Sequence, residues 1–186
     1  MSLPAKRRAT YQDLLAVPPH LVAEIIDGEL TTSPRLAPRH ARASSRLGGV
    51  LDGPFDRGAG GPGGWIILDE PELHHRGDVL VPDLAAWRRE RLPKLPDTAY
   101  FELAPDWVCE ILSPSTEADD RAGKMPIYAR EGVKHAWLIN PLSRTLEVSR
   151  LGGSSWLLAT TFRGDRTARV EPFDAIEIDI GSLWTD

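Results

Sequence analysis

With one cysteine, Cys109, the chain cannot close an intramolecular disulfide, which excludes the small secreted scaffold held together by such bridges. A reducing cytoplasm is the expected setting. No stretch approaches the roughly 18 apolar residues of a membrane span. The opening MSLPAKRRATYQDLL is basic but lacks the apolar run of a signal peptide, so neither export nor membrane insertion is expected. Basic charge is not in excess: 22 Lys and Arg against 27 Asp and Glu leave a formal −5. That balance opposes generic attraction to a polyanion, so DNA binding would require a local basic face. His74-His75 has no further ligands at zinc-like spacing, which excludes a structural zinc site of the usual kind and leaves the pair as a loop. The glycine-rich residues 52–64 lack the Gly-Lys-Ser/Thr of a phosphate loop and read as a mobile connection.

What is present is an ordinary globular composition, 41% hydrophobic and 26% charged over 186 residues, enough for one domain with a substantial core at about residues 10–184 and no internal repeat. Thr10 is a candidate N-cap for a short helix that Pro18-Pro19 ends. Residues 20–26 and 29–32 flank Asp27-Gly28, the pair that best tolerates positive φ in a tight turn, and predict a β-hairpin. Apolar spacing predicts a first long helix over 37–51. Strands are expected at 65–68, 79–87 and 107–112, then at 136–139, 145–149, 156–162 and 168–170, the later ones as an antiparallel meander. Between the two sets, residues 117–131 are helical in composition but interrupted by Gly123 and Pro126, which predicts a kink or two abutting helices.

Two carboxylates stand in apolar runs, Asp83 in Val79-Leu-Val-Pro-Asp-Leu-Ala-Ala-Trp87 and Glu110 in Trp107-Val-Cys-Glu-Ile-Leu112. A buried carboxylate left alone costs several kcal/mol, so each needs a proton, a cation or a metal. Lys124 lies about two turns into the following helix, and Asp120, Lys124 and Tyr128 are four residues apart and would share its face. Oxygen ligands from Asp83 and Glu110 suit a hard cation such as Mg²⁺, with Mn²⁺ as a substitute, and Lys124 would offset charge developing on a phosphate. The plainer reading makes Asp83 and Glu110 solvated strand ends and Lys124 a surface charge; spacing alone does not decide between them.

The ordered segments Glu24-Ile-Ile-Asp-Gly-Glu29, Val81-Pro-Asp-Leu84, Val108-Cys-Glu-Ile-Leu-Ser-Pro-Ser-Thr116, Lys124-Met-Pro-Ile-Tyr128 and Gly132-Val-Lys-His-Ala-Trp-Leu-Ile139 add what spacing lacks. In their combination the chain resembles the Uma family of restriction-endonuclease-like proteins, in the PD-(D/E)XK nuclease superfamily. The resemblance runs from about Thr10 to Trp184. It implies an α/β (α+β) fold with a mixed central sheet flanked by helices, a Mg²⁺-dependent phosphodiester hydrolase acting on DNA, and a homodimer. Carried over, Pro82-Asp83 matches the PD, Glu110 the acid and Lys124 the lysine; the superfamily's usual lysine position, two residues after the acid, is Leu112 here. Asn140-Pro141 departs from the family's more frequent Asp-Pro, with no catalytic consequence expected.

Further residues are weighed beside these. Glu24 is either an accessory metal ligand or a solvated strand residue, His40 either points into the cleft or serves helix polarity, and Tyr128 either hydrogen-bonds in the site or fills the core. Trp87, Trp107 and Trp137 lie in buried-type strands and read as core rather than as a stacking platform for single strands. Two arginine groups, Arg35, Arg39, Arg42 and Arg46, and Arg88, Arg89 and Arg91, are candidate DNA faces. The expected function is a Mg²⁺-dependent DNA endonuclease; the alternative is a non-catalytic nucleic-acid or protein-interaction module that keeps the nuclease fold. A two-carboxylate glycosidase would leave Lys124 idle.

Overall fold

The computed structural model describes residues 7–34 and 37–185; Arg35 lies outside them. Thr10 caps the first helix, α1 (Tyr11–Leu15), through a reciprocal capping box with Asp13. Strands β1 (Leu21–Ile26) and β2 (Glu29–Pro34) form the expected hairpin, with φ of 51° at Asp27 and 80° at Gly28. They belong to a four-stranded sheet in the order β2-β1-β5-β4, with β4 spanning Leu73–His75 and β5 Asp78–Leu80. The long helix α2 (Pro38–Leu51) follows the hairpin.

A six-stranded sheet carries the core, in the order β10-β9-β8-β7-β6-β3. Its members are β3 (Trp65–Asp69), β6 (Leu84–Arg88), β7 (Trp107–Ile111), β8 (His135–Asn140), β9 (Thr145–Gly152) and β10 (Ser155–Arg163). β7 and β8 run parallel and the other pairs antiparallel, so the sheet is mixed. Side chains alternate across it. Trp107, Cys109 and Ile111 pack with Ala43, Leu47 and Leu51 of α2 on one face. Val108 and Leu112 pack on the other with Ile127 and Tyr128 of helix α3 (Met125–Arg130). Glu110 therefore faces α3. A short pair, β11 (Thr167–Ala168) and β12 (Ile178–Asp179), follows and leads into a 3₁₀ turn at Ile180–Leu183; β11 stops two residues short of the expected strand end.

Three expectations are corrected. The run 79–87 is not one strand: Pro82 cannot donate to a ladder, and the chain crosses there from β5 in the smaller sheet to β6 in the larger. Residues 52–64 are a loop only from residue 57 onward, because a π-helical turn at Asp52–Asp56 buries Phe55 against Phe173 and Asp56 accepts a hydrogen bond from the Ile67 amide. His74-His75 lies in β4, where His74 stacks on Tyr100 and contacts Glu72.

The segment 117–131 breaks as expected, into a π-helical turn at Asp119–Lys124 and then α3, with Pro126 in the first turn of α3, where its missing donor does no harm. Arg121 ties the π turn to Glu147 of β9 by two hydrogen bonds of 2.9 and 2.7 Å. Gly123 lets the turn lie directly on β1, since a Cβ there would stand 2.8 Å from Ile26 Cγ2. We predict that Gly123→Ala costs about 1–3 kcal/mol in urea unfolding through overpacking, and that the loss shrinks in an Ile26→Ala background. An equal loss in both backgrounds would show that the contact does not set the approach of turn to strand.

Candidate active site

The two sheets meet where the chain crosses between them, and that junction gathers the carboxylates. Glu24 of β1 accepts a 2.7 Å hydrogen bond from the Val81 amide in the crossover. Asp83, at the end of the same crossover, accepts one of 2.6 Å from Ile111 at the end of β7. His40, in the first turn of α2, brings Nε2 to 3.3 Å from the other Asp83 oxygen. Glu110 is 1% exposed, accepts a 2.6 Å hydrogen bond from the Tyr128 hydroxyl on Oε1, and presents Oε2 to Lys124 at 3.1 Å.

Lys124 closes the set. The π turn delivers its ammonium, on a residue 4% exposed, to 3.2 Å from Glu24 and 3.1 Å from each of Glu110 and Asp120. All six residues singled out from sequence, Glu24, His40, Asp83, Glu110, Lys124 and Tyr128, are thus brought together. They are buried, not solvated strand ends or surface charges. Three acids of the cleft were not among those candidates. Asp120 had a signal, its four-residue spacing from Lys124; Glu70 and Asp119, exposed at the rim, had none.

The six carboxyl side chains of Glu24, Glu70, Asp83, Glu110, Asp119 and Asp120, with the one ammonium of Lys124, line a cleft of about 60 Å³. Burial lifts the Glu110 carboxyl well above the usual range; Lys124 opposes the rise, and Asp120, Asp83 and Glu24 add to it. Burial likewise raises Asp120 against the pull of Lys124. For Lys124 burial works to discharge the ammonium, but Glu110, Glu24, Tyr128 and Asp120 together outweigh it and hold the pKa well above the ordinary value. Burial and Glu110 push the Tyr128 hydroxyl up as well, so it stays a donor. A phosphate would be repelled from such a cleft unless further positive charge entered with it. Among the described residues no three His, Cys, Asp or Glu side chains are disposed to hold a metal ion unaided.

The second arginine group is engaged elsewhere: Arg88 covers the Trp65 ring at 3.9 Å, Arg89 pairs with Asp56 at 2.8 Å and Arg91 with Asp106 at 2.7 Å. Trp87, Trp107 and Trp137 are fully buried in the core, as expected. Among the described residues no helix is long and apolar enough to cross a membrane.

A mixed sheet between helices, with two acids and a lysine meeting beside its parallel pair, defines a restriction-endonuclease-like class of fold. The family model described as "Uma2: Putative restriction endonuclease" matches residues 8–181, and the chain belongs to that family. A crystal structure titled as a "putative nuclease belonging to DUF820", from Anabaena variabilis, superposes with a TM-score of 0.76 at 22% identity, over 95% of this chain and 97% of the other. That likeness concerns the fold. No curated protein matches the chain.

The raised Glu110 pKa has a stability consequence in metal-free protein. A carboxyl whose folded pKa lies above its unfolded value contributes stability that is full below about pH 4.5 and is lost as pH rises through the folded value. Glu110→Gln should therefore gain on the parent as pH rises above 4.5, read as the difference between their urea midpoints in chelator. A difference that does not change with pH would contradict the assignment.

Proposed function

We propose that this chain is a divalent-cation-dependent endonuclease that hydrolyses DNA phosphodiesters at the cleft between the two sheets. The observation that carries the reading is the charge imbalance: six carboxyl groups face one ammonium in a space of about 60 Å³. Asp83 and Glu110 fit a hard cation that keeps several of its waters, as Mg²⁺ does, because each carboxylate has lone pairs left after the hydrogen bonds described. Glu24 and Asp120 can lend it charge. When bound, the cation would supply Lewis acidity toward the phosphodiester and an acidified water.

The chain's own groups do the rest. The Ile111 amide and His40 fix Asp83, and the Tyr128 hydroxyl fixes Glu110, so both carboxylates are pre-oriented and need not reorganise when charge enters. Lys124 holds a proton firmly against its carboxylate neighbours, which makes it a standing positive charge for the phosphoryl oxygens as they gain charge in the transition state. It is not suited to act as a base. Glu110 and Lys124 are themselves almost fully buried, which strengthens the interactions they make.

One observation favours the second reading, a binding module that keeps the nuclease fold. Lys124 already satisfies Glu24, Glu110 and Asp120 without a metal. The two readings part on cleavage. Supercoiled DNA should be nicked in Mg²⁺ or Mn²⁺ and not in chelator, and Lys124→Met should slow nicking by about 10²–10³-fold while the metal-induced rise in melting temperature persists. Nicking in chelator, or nicking by Lys124→Met at the parent rate, would overturn the proposal.

A further inference from the structure

Beside the acidic cleft lie two cavities of opposite character. One, of about 370 Å³, is walled by Leu112, Pro114, Pro141 and Leu142 and edged by Arg39 and His40. The other, of about 290 Å³, is lined by Arg42, Leu183 and Trp184 and shares Pro38, Arg39 and Pro141 with the first. Among the described residues neither has an acidic residue in its lining, although the chain as a whole is acidic and six carboxyl groups stand next door. His40 lines both the cleft and the larger cavity, so the two adjoin.

The charge in these grooves is uncommitted. Arg39, Arg42 and Arg46 recur at three and four residues along α2, hence on one face; all are exposed, and none is in an ion pair among the described residues. The N-cap residue Ala37 gives α2 no side-chain cap, and beyond Pro38, which has no N–H, the first-turn amides favour an anion. A second observation points the same way: His40, 6% exposed and lining the groove, has a buried Nδ1 without a hydrogen-bond partner. Leu142, 61% exposed, lines the larger cavity and is held in its turn because the Leu142 and Ser143 amides both donate to Asn140 Oδ1. An apolar side chain that open, sharing a cavity with Arg39 and adjoining the one that Arg42 lines, suits a ligand with a flat apolar part and an anionic part.

We propose that this groove is a nucleotide subsite of the cleft, in which Arg39 and Arg42 hold backbone phosphates and an unpaired base lies against Pro114, Pro141 and Leu142. The proposal rests on the nuclease reading and extends it to substrate choice. Bases inside a continuous duplex are stacked and cannot enter a concave groove, so the favoured substrate is single-stranded or locally unpaired nucleic acid. Its backbone follows the α2 arginines toward the acidic cleft, and Asn140 gains a purpose as the residue that presents Leu142.

Binding in chelator tests this independently of cleavage. Fluorescence anisotropy would follow a labelled octathymidylate and a blunt mixed-sequence duplex, each against the full chain over a range of salt. The single strand should bind about tenfold more tightly than the duplex. Arg39→Ala should weaken it about tenfold with a shallower salt dependence, and Leu142→Ser about fivefold with unchanged melting temperature and sedimentation. Duplex binding as tight as the single strand, or both variants binding octathymidylate like the parent, would overturn the subsite and leave the nuclease proposal standing. A change of sedimentation alone in Leu142→Ser would mean that a second copy covers the groove, which also overturns it. If the parent binds neither probe, in chelator or in Mg²⁺, the subsite and the nuclease reading fail together.

Discussion

The ammonium of Lys124 is held within 3.2 Å of Glu24, Glu110 and Asp120, three acids from three different segments of the chain. None could be buried alone without a cost of several kcal/mol. Together they are tolerable only if β1, β7 and the π turn meet at the junction of the two sheets, so the polar cluster and the packing of the surrounding elements require one another. Gly123 gives the turn its close approach to Ile26 of β1, and Arg121 anchors it to β9. The Pro82 break lets one short crossover serve both Glu24, through the Val81 amide, and Asp83.

The same constraint explains the electrostatics. A cluster with more carboxyl groups than cations stays folded by retaining protons and by holding its one ammonium tightly, which is what the raised Glu110, Asp120 and Lys124 pKa values describe. Added positive charge is the natural complement. The neighbouring grooves have the reverse imbalance, with unpaired arginines and no acids among the described residues. His40 stands between the two environments, one ring nitrogen toward Asp83 and the other without a partner.

Much of this was legible in the sequence, and for identifiable reasons. Asp83 and Glu110 interrupt apolar runs, and that local contrast marks buried carboxylates in need of partners. The Asp27-Gly28 turn, the Thr10 cap and the break near Pro126 are likewise fixed by nearest neighbours. Lys124 was a candidate from its place in the following helix, and the resemblance to a known family added weight to it, since its final position depends on how that helix packs. What stayed illegible is non-local. Pro82 signals a break in the run 79–87, but nothing local shows that the chain changes sheets there, since a broken strand can resume in the same sheet. The pairing of Arg88, Arg89 and Arg91 with Trp65, Asp56 and Asp106 spans too much sequence to be read, as does the burial of Phe55 by Phe173 in a glycine-rich stretch. Glu70 and Asp119 reach the cleft only because the sheets meet.

The central claim is that Asp83 and Glu110 are disposed to share a divalent cation, and metal-induced stabilisation measures it without knowledge of the substrate. Thermal melting of the parent and of Asp83→Asn, with and without Mg²⁺ at fixed ionic strength, gives the comparison. At a Mg²⁺ concentration about ten times its dissociation constant, the parent should gain about 1.4 kcal/mol, or roughly 3 to 6 °C for a domain of this size. Asp83→Asn, one ligand short, should gain little. Equal shifts in the two proteins would mean that Asp83 does not bind the cation, and the account of the cleft would lose its foundation.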